Sequence, residues 1–363
     1  MTVLGGTPVT VVGAGASGLA LAARAALGGH AVTVANRPGA RIDALASGTL
    51  TLTEPDGTRH TVAVPATSDV AAAVRGAPVV IVAVGSSHQG ETLCAVGDAL
   101  SPDQVVLLVP GHTGGAWCVS AALRAGGHPV PRLAEMPLPF VCRQSGPAQI
   151  AILQDKAGVH LGADLPDRPA AREAAERLGF PVTHECGLLE AGLCNTTAVL
   201  QPVLLLANLT RVDRAEPFTI YREGVGPALG RLAAALDAER LAVAAGYGLA
   251  PPSLADWLRW AYGATGRTLD ELVASVPGYA RVVAPAEVRH RFLVEHVETG
   301  VVPISELGAL AGVATPRSSA VIELASAATG LPLRETGRTL RRLLPPGVAP
   351  EDARHHLTQG VAV

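Results

Sequence analysis

At 363 residues with a net charge of −3, the chain is long enough for two domains. It is too evenly charged to be built for nucleic acid or an anionic membrane surface. Hydrophobic residues make up 48%, yet no apolar run reaches the ~20 residues needed to cross a bilayer. The first apolar run, from Val9, has no basic region before it and is not expected to be a signal peptide. Cys94, Cys118, Cys142, Cys186 and Cys194 form no C-x-x-C pair, so buried reduced thiols in a cytoplasmic protein without a metal site are expected.

Val9-Thr10-Val11-Val12 reads as a buried strand. Gly13, Gly15 and Gly18 follow at G-x-G-x-x-G spacing, then a helical segment from Leu19 to Leu27, a Gly28-Gly29 stop and a strand from Ala31 to Ala35. This is the βαβ unit of the dinucleotide-binding fingerprint. Gly13 allows the tight turn, Gly15 admits the pyrophosphate, and Gly18 lets the helix lie close to the strand. Ala16 and Ser17 open the helix whose free N–H groups face the phosphates. No carboxylate ends the second strand. Asn36 and Arg37 stand there, with Arg41 a turn later. A guanidinium suits a 2′-phosphate, so NADP is expected over NAD.

Further along, Gly48–Val64 alternates around Asp56-Gly57 as a β-hairpin. Val70–Arg75 reads as a helix, while Pro78–Val84 and the centre of Pro102–Pro110 read as buried parallel strands. The loops after these strands, Val84-Gly85-Ser86-Ser87-His88 and Pro110–Gly115, fall at carboxyl ends of the sheet, where ligands bind. They are assigned to the cofactor region through Val84, Gly85, Ser86 and His88, while His112 stands evenly between a functional residue and part of an ordinary turn. Short strands follow from Val130 to Leu165, then a helix over Pro169–Leu178 and a strand over Pro181–His184.

Composition shifts near Gly187. Helices are expected over Leu188–Leu206, Pro227–Ala245, Ser253–Tyr262, Val288–Glu298, Ile304–Ala311, Ser318–Ala328 and Leu333–Leu343. On the second, Leu229, Leu232, Leu236 and Leu241 form the apolar set, with Asp237, Glu239 and Arg240 on other sides. Trp257, Trp260 and Tyr262 read as core, and Thr210–Asp213 as a turn. The fold class is therefore an α/β N-terminal domain with a doubly wound, mostly parallel sheet (residues 1–187), followed by an all-α C-terminal domain (188–363). With no linker, the two are expected to share a cleft.

These stretches together resemble the octopine/nopaline (opine) dehydrogenase family along nearly the whole chain. The matching segments are Gly13–Gly18, VAVGSSHQG ending beyond His88, PGHTGGA from Pro110, AEMPLPFVCR ending at Arg143, and Lys156. Others are Asn195 through Asn208, Tyr221–Gly224, LDAER from Leu236, HRFLVEH from His290, and Val301-Val302-Pro303. The resemblance implies NAD(P)H-dependent reductive condensation of an amino acid with a 2-oxo acid by a Rossmann domain and a helical substrate domain. It also implies a catalytic His before a Pro and an Asp after a Glu. This chain has Gln201 before Pro202 and His296 after Glu295. Gln cannot exchange a proton at neutral pH, whereas His titrates near it.

Three readings stay open. His296 supplies the acid while Gln201 orients the substrate; or acid catalysis is unnecessary because a preformed iminium is reduced; or the reaction is no longer opine chemistry. A fourth possibility makes His296 a surface residue. Arg143, Arg222 and Arg291 are candidate carboxylate clamps; Arg222, Arg291 and Asn208 are taken as the substrate set, and Glu295 as an arginine's partner. The expected function is an NADP-dependent oxidoreductase acting on a C=N or C=O bond of an amino-acid-derived small molecule, as a homodimer. The alternatives are non-redox chemistry, cofactor binding without turnover, and a ketone or 2-hydroxy acid reductase.

Overall fold

The computed structural model describes residues 6–345, 347–349 and 352–359. The chain divides into two compact units. The first runs to Gly111 and resumes over Val119–Gly187; the second comprises Leu188 onward together with the short segment His112–Cys118. That detached segment departs from the contiguous division read from the sequence.

In the first unit, twelve strands are β1 (Pro8–Val12), β2 (Ala31–Ala35), β3 (Thr49–Thr53), β4 (Arg59–Ala63), β5 (Ala66–Thr67), β6 (Val79–Val82), β7 (Val105–Leu108), β8 (Arg132–Glu135), β9 (Phe140–Gly146), β10 (Gln149–Asp155), β11 (Val159–Ala163) and β12 (Val182–Cys186). Eight form one sheet in the order β12-β11-β8-β7-β6-β1-β2-β5. Its pairings are parallel except β11 with β8. The order runs outward from β1 in both directions, the doubly wound pattern that continuous Val/Ile/Leu strands favour. The hairpin β3–β4, turning at Gly57 with φ +90°, joins β10 and β9 in a separate four-stranded sheet.

Helix α1 (Ala16–Leu27) contacts strands of both sheets. This explains why its middle turns are buried all round: Ala20, Leu21, Ala22 and Ala23 are fully inaccessible. A helix covered over these turns carries no polar face there, and small residues allow close approach of both layers.

The second unit is helical, and several expectations change there. The Leu188–Leu206 run is apolar and long enough to cross a membrane by composition, but 83% of its window is buried in the fold. It is also broken into Leu188–Leu193 and Thr197–Leu206. Thr197 Oγ1 donates to Asn195 Oδ1 at 2.6 Å, local bonding of the kind that competes with helix continuation. No helix covers residues 288–293. Instead a single turn, Val294–His296, leads into a π-helical turn, Val297–Val301, and then the helix Val302–Ala311. Gly300 sits where a Cβ would lie 2.5 Å from that of Ala198, so close helix packing sets the local path. Leu333–Thr336 and Leu340–Leu343 are separate helices, parted at Gly337, where an added Cβ would meet Val302 Cγ1 at 2.9 Å.

On Pro227–Gly246 three of the four charged residues face inward, and Arg231 is exposed. Asp237, Glu239 and Arg240 are buried, while Leu232 is 43% exposed. Arg240 bonds Asp237 Oδ1 at 2.8 Å, Pro252 O at 2.8 Å and Leu193 O. Glu239 accepts the backbone N–H of Arg317 and of Ser318, each at 2.8 Å, capping the helix Pro316–Thr329 from a distant part of the chain. Trp257 is core, but Trp260 is 42% exposed. Thr210–Asp213 belongs to a short helix, Leu209–Asp213, and Leu269–Ser275 is a further helix, opened by a Thr268/Glu271 capping box. All five cysteines are thiols, with only Cys186 and Cys194 fully buried.

Candidate active site

The glycine loop closes as its spacing requires. Gly13 has φ +121°, and a Cβ there would stand 2.8 Å from Ala83 O and 3.1 Å from Val84 N. A Cβ on Gly18 would lie 1.9 Å from Gly13 O. Over Gly15 the space is open save for Arg41 Nη1 at 3.8 Å. The helix beginning at Ala16-Ser17 has no side-chain cap and no acid in its first turn. Its first-turn N–H groups and dipole therefore favour an anion, and Arg41 adds positive charge beside them. These residues fit a dinucleotide pyrophosphate.

Asn36 accepts from Ala14 N at 3.3 Å and donates to Arg37 O at 2.9 Å, tying the loop to the end of β2. Arg37 and Arg41 are exposed. Gly85 and His88 are exposed as well, with His88 Nδ1 3.7 Å from Glu91. Ser86 is buried and its hydroxyl donates to Pro110 O at 3.1 Å, joined there by Gln89 Nε2 at 2.8 Å, which ties two loops together.

In the second unit, polar side chains gather around the π-helical turn. His296 is 2% exposed, which removes the surface-residue reading. Among the described residues, neither of its ring nitrogens has a hydrogen-bond partner. Burial, reinforced by the neighbouring His112, pushes its pKa well below the ordinary histidine value, so it is neutral at pH 7. Gln201 Nε2 donates to Tyr221 Oη at 2.9 Å, while its Oε1 is buried with no partner among the described residues. Burial raises the Tyr221 phenol well above its usual range, so its proton stays on. Ring contacts connect the two sites: Tyr221 to Phe292 at 6.0 Å and Phe292 to His296 at 6.5 Å.

His112 joins this group. Its ring centroid lies 4.7 Å from that of His296, its Nδ1 is 2.8 Å from Thr299 Oγ1, and Glu295 Oε1 is 4.0 Å from the same nitrogen. The segment is held by its neighbour. Thr113 N donates to Thr299 O at 3.0 Å, Thr113 Oγ1 donates to Gly192 O at 2.8 Å, and Thr113 O accepts from Arg338 at 3.0 Å. Asn195 Nδ2 reaches Thr113 Oγ1 at 3.2 Å. The sequence explains the first bond: Pro303 has no N–H to offer the carbonyl four residues earlier, and Thr113 supplies it.

The expected substrate residues have the following surroundings. Arg291 lies 3.9 Å from Glu295. Arg222 is exposed, and Arg143 is exposed on β9 of the first unit. Asn208 gives both amide hydrogens to backbone, Leu204 O at 2.8 Å and Gly224 O at 2.9 Å. Thr299 was not singled out by sequence reasoning, and Glu295 was given only a structural part. The signal available for Thr299 was Pro303, four residues beyond it.

Comparison with known proteins gives the following. Residues 184–329 match the family described as NAD/NADP octopine/nopaline dehydrogenase, alpha-helical domain. Residues 9–111 match ketopantoate reductase PanE/ApbA. An opine dehydrogenase of Arthrobacter sp. (strain 1C) is 33% identical over 92% of this chain and 94% of its own. A structure of octopine dehydrogenase with NADH and L-arginine superposes with a TM-score of 0.76 at 20% identity, covering 98% of each chain. Yersinopine dehydrogenase with NADP+ bound gives 0.72 at 18% identity, again covering 98% of each.

Proposed function

The chain belongs to the opine dehydrogenase family, and from that premise we propose that it joins the amine of an amino acid to a 2-oxo acid and reduces the resulting C=N bond with NADPH. It is an NAD(P)-dependent oxidoreductase acting on CH–NH donors. The observation that carries this reading is the likeness to an opine dehydrogenase over 92% of the chain. When bound, the nicotinamide supplies hydride. The chain's own part begins at the glycine loop, where the uncapped first turn of α1 and Arg41 hold phosphate. Arg37 and Arg41, with no carboxylate at the end of β2, favour the 2′-phosphate of NADP. In the helical unit, Gln201 Oε1 accepts an N–H of the amine substrate, and buried neutral His296 offers one donor and one acceptor. Thiols at all five cysteines suit a reducing cytoplasm.

The reductase alternative has less support. The ketopantoate reductase match stops at residue 111, whereas the opine dehydrogenase likeness runs over 92% of the chain.

The test is NADPH oxidation followed by absorbance across a panel of amino acids paired with 2-oxo acids, with mass spectrometry of the secondary-amine product. Oxidation that needs both partners is expected. Oxidation by the 2-oxo acid alone, yielding a hydroxy acid, would overturn the reading.

A further inference from the structure

The hydrogen-bond geometry around Thr299 determines which imidazole handles the proton. A threonine hydroxyl has one hydrogen. Thr299 gives it to Glu295 O, 2.7 Å away and one helical turn back. The same oxygen lies 2.8 Å from His112 Nδ1, and so it accepts there. His112 Nδ1 therefore carries a hydrogen, which makes Nε2 the nitrogen whose protonation changes. We propose that His112, fixed as its Nδ1–H tautomer by Thr299 with Glu295 behind it, is the acid–base catalyst of the condensation; this rests on the oxidoreductase reading above.

The neighbouring charges agree. Glu295 Oε1 stands 4.0 Å from His112 Nδ1 and favours a cationic ring. His296, 4.7 Å away centroid to centroid, is buried among His112, Glu295, Arg291 and His290. From the helix Thr197–Leu206 the polar group is the uncharged Gln201, bonded to the neutral phenol of Tyr221. Two adjacent buried imidazoles do not both carry charge. Glu295 and Thr299 meet His112, whereas both nitrogens of His296 are without partners among the described residues, so the charge belongs to His112. His296 stays neutral, and Thr299 and Glu295 are positioning residues.

The step assigned to His112 is dehydration. Addition of the amine to the 2-oxo carbon gives a carbinolamine. The Nε2–H bond of the imidazolium breaks as its proton goes to the carbinolamine hydroxyl. The C–O bond breaks, water leaves, and the nitrogen lone pair forms the C=N bond of an iminium. Nothing is oxidised or reduced, and His112 ends neutral.

His112 has φ +60°, a conformation asparagine adopts more readily than most residues, so His112→Asn removes the titrating ring with the least backbone strain. For this variant kcat is expected to fall ~100-fold or more, with NADPH binding by fluorescence titration unchanged. A kcat within about threefold of the parent, on the scale of such a loss, would overturn the proposal. Independently, two-bond ¹H–¹⁵N correlation on the ¹⁵N-histidine-labelled full chain should give the Nδ1–H tautomer at His112, retained in Thr299→Ser and lost in Thr299→Val. An Nε2–H tautomer in the parent refutes the assignment. If His112→Asn does not fold, the Thr299 pair decides through kcat: loss in Thr299→Val with recovery in Thr299→Ser supports the proposal, and equal kcat in both refutes it. If no amine and 2-oxo acid pair is turned over, the function reading fails, while the tautomer measurement still decides the role of Thr299.

Discussion

Replacing Lys156 by methionine should reverse its effect on stability between acid and alkaline pH. Lys156 is 9% exposed, and its ammonium donates to Leu138 O at 2.6 Å. Burial pushes its pKa from 10.5 down to about 7. A lysine depressed on folding binds its proton more weakly in the native state than in the unfolded one. The unfolded chain therefore holds more protons between about pH 7 and 10.5, and stability rises with pH through that window. Below it the penalty of burying the charge is fully present. At ~1.36 kcal/mol per pH unit this amounts to roughly 4–5 kcal/mol. Methionine has similar length and no charge, but it leaves Leu138 O without its donor, a loss of about 1–3 kcal/mol. The variant should thus be more stable than the parent by roughly 2–3 kcal/mol at pH 6 and less stable by ~1 kcal/mol at pH 10. Urea midpoints followed by tryptophan fluorescence at pH 6, 8 and 10 measure the crossing. A methionine variant that is weaker at pH 6, or a difference that does not change with pH, would refute the burial argument.

Other predictions test other parts of the fold. Arg240→Met strands the buried Asp237 carboxylate and two carbonyls and should cost about 3–5 kcal/mol in chemical denaturation; adding Asp237→Leu should recover part of it. Gly300→Ala brings a Cβ to 2.5 Å from Ala198 and should lower stability by ~1–3 kcal/mol, read as a fall in Tm. Arg37→Asp should raise KM for NADPH at least ~10-fold while leaving KM for NADH nearly unchanged, since a carboxylate at the end of β2 repels the 2′-phosphate and accepts the ribose hydroxyl. Equal KM changes for both cofactors would remove Arg37 from the site.

Legibility in the sequence followed the range of the interactions involved. The glycine loop, both sheets' main strands and most helices were readable because their causes lie within a few residues: turn glycines, alternation and apolar periodicity. The inward charges of Pro227–Gly246 were not. Glu239 serves N–H groups of Arg317 and Ser318, and nothing near position 239 announces them. A helical wheel sends such a residue to solvent. The π-helical turn was hidden for a related reason, since it depends on Gly300 meeting Ala198 from another helix. The polar cluster was half visible. His296 and Gln201 stood out as departures from a pattern, whereas Thr299 carried no pattern of its own. Its part emerges only when His112 is seen against it.

The assignment of His112–Cys118 to the helical unit bears on how the protein can be divided. A gene fragment encoding only residue 188 onward would lack Thr113, leaving Gly192 O and Thr299 O without the donors they have here, and it would lack His112 altogether. Domain-swapped chimeras cut once near Gly187 would therefore import a foreign copy of that segment into this helical scaffold. The exchangeable module is discontinuous, and grafting it requires two stretches of sequence to travel together.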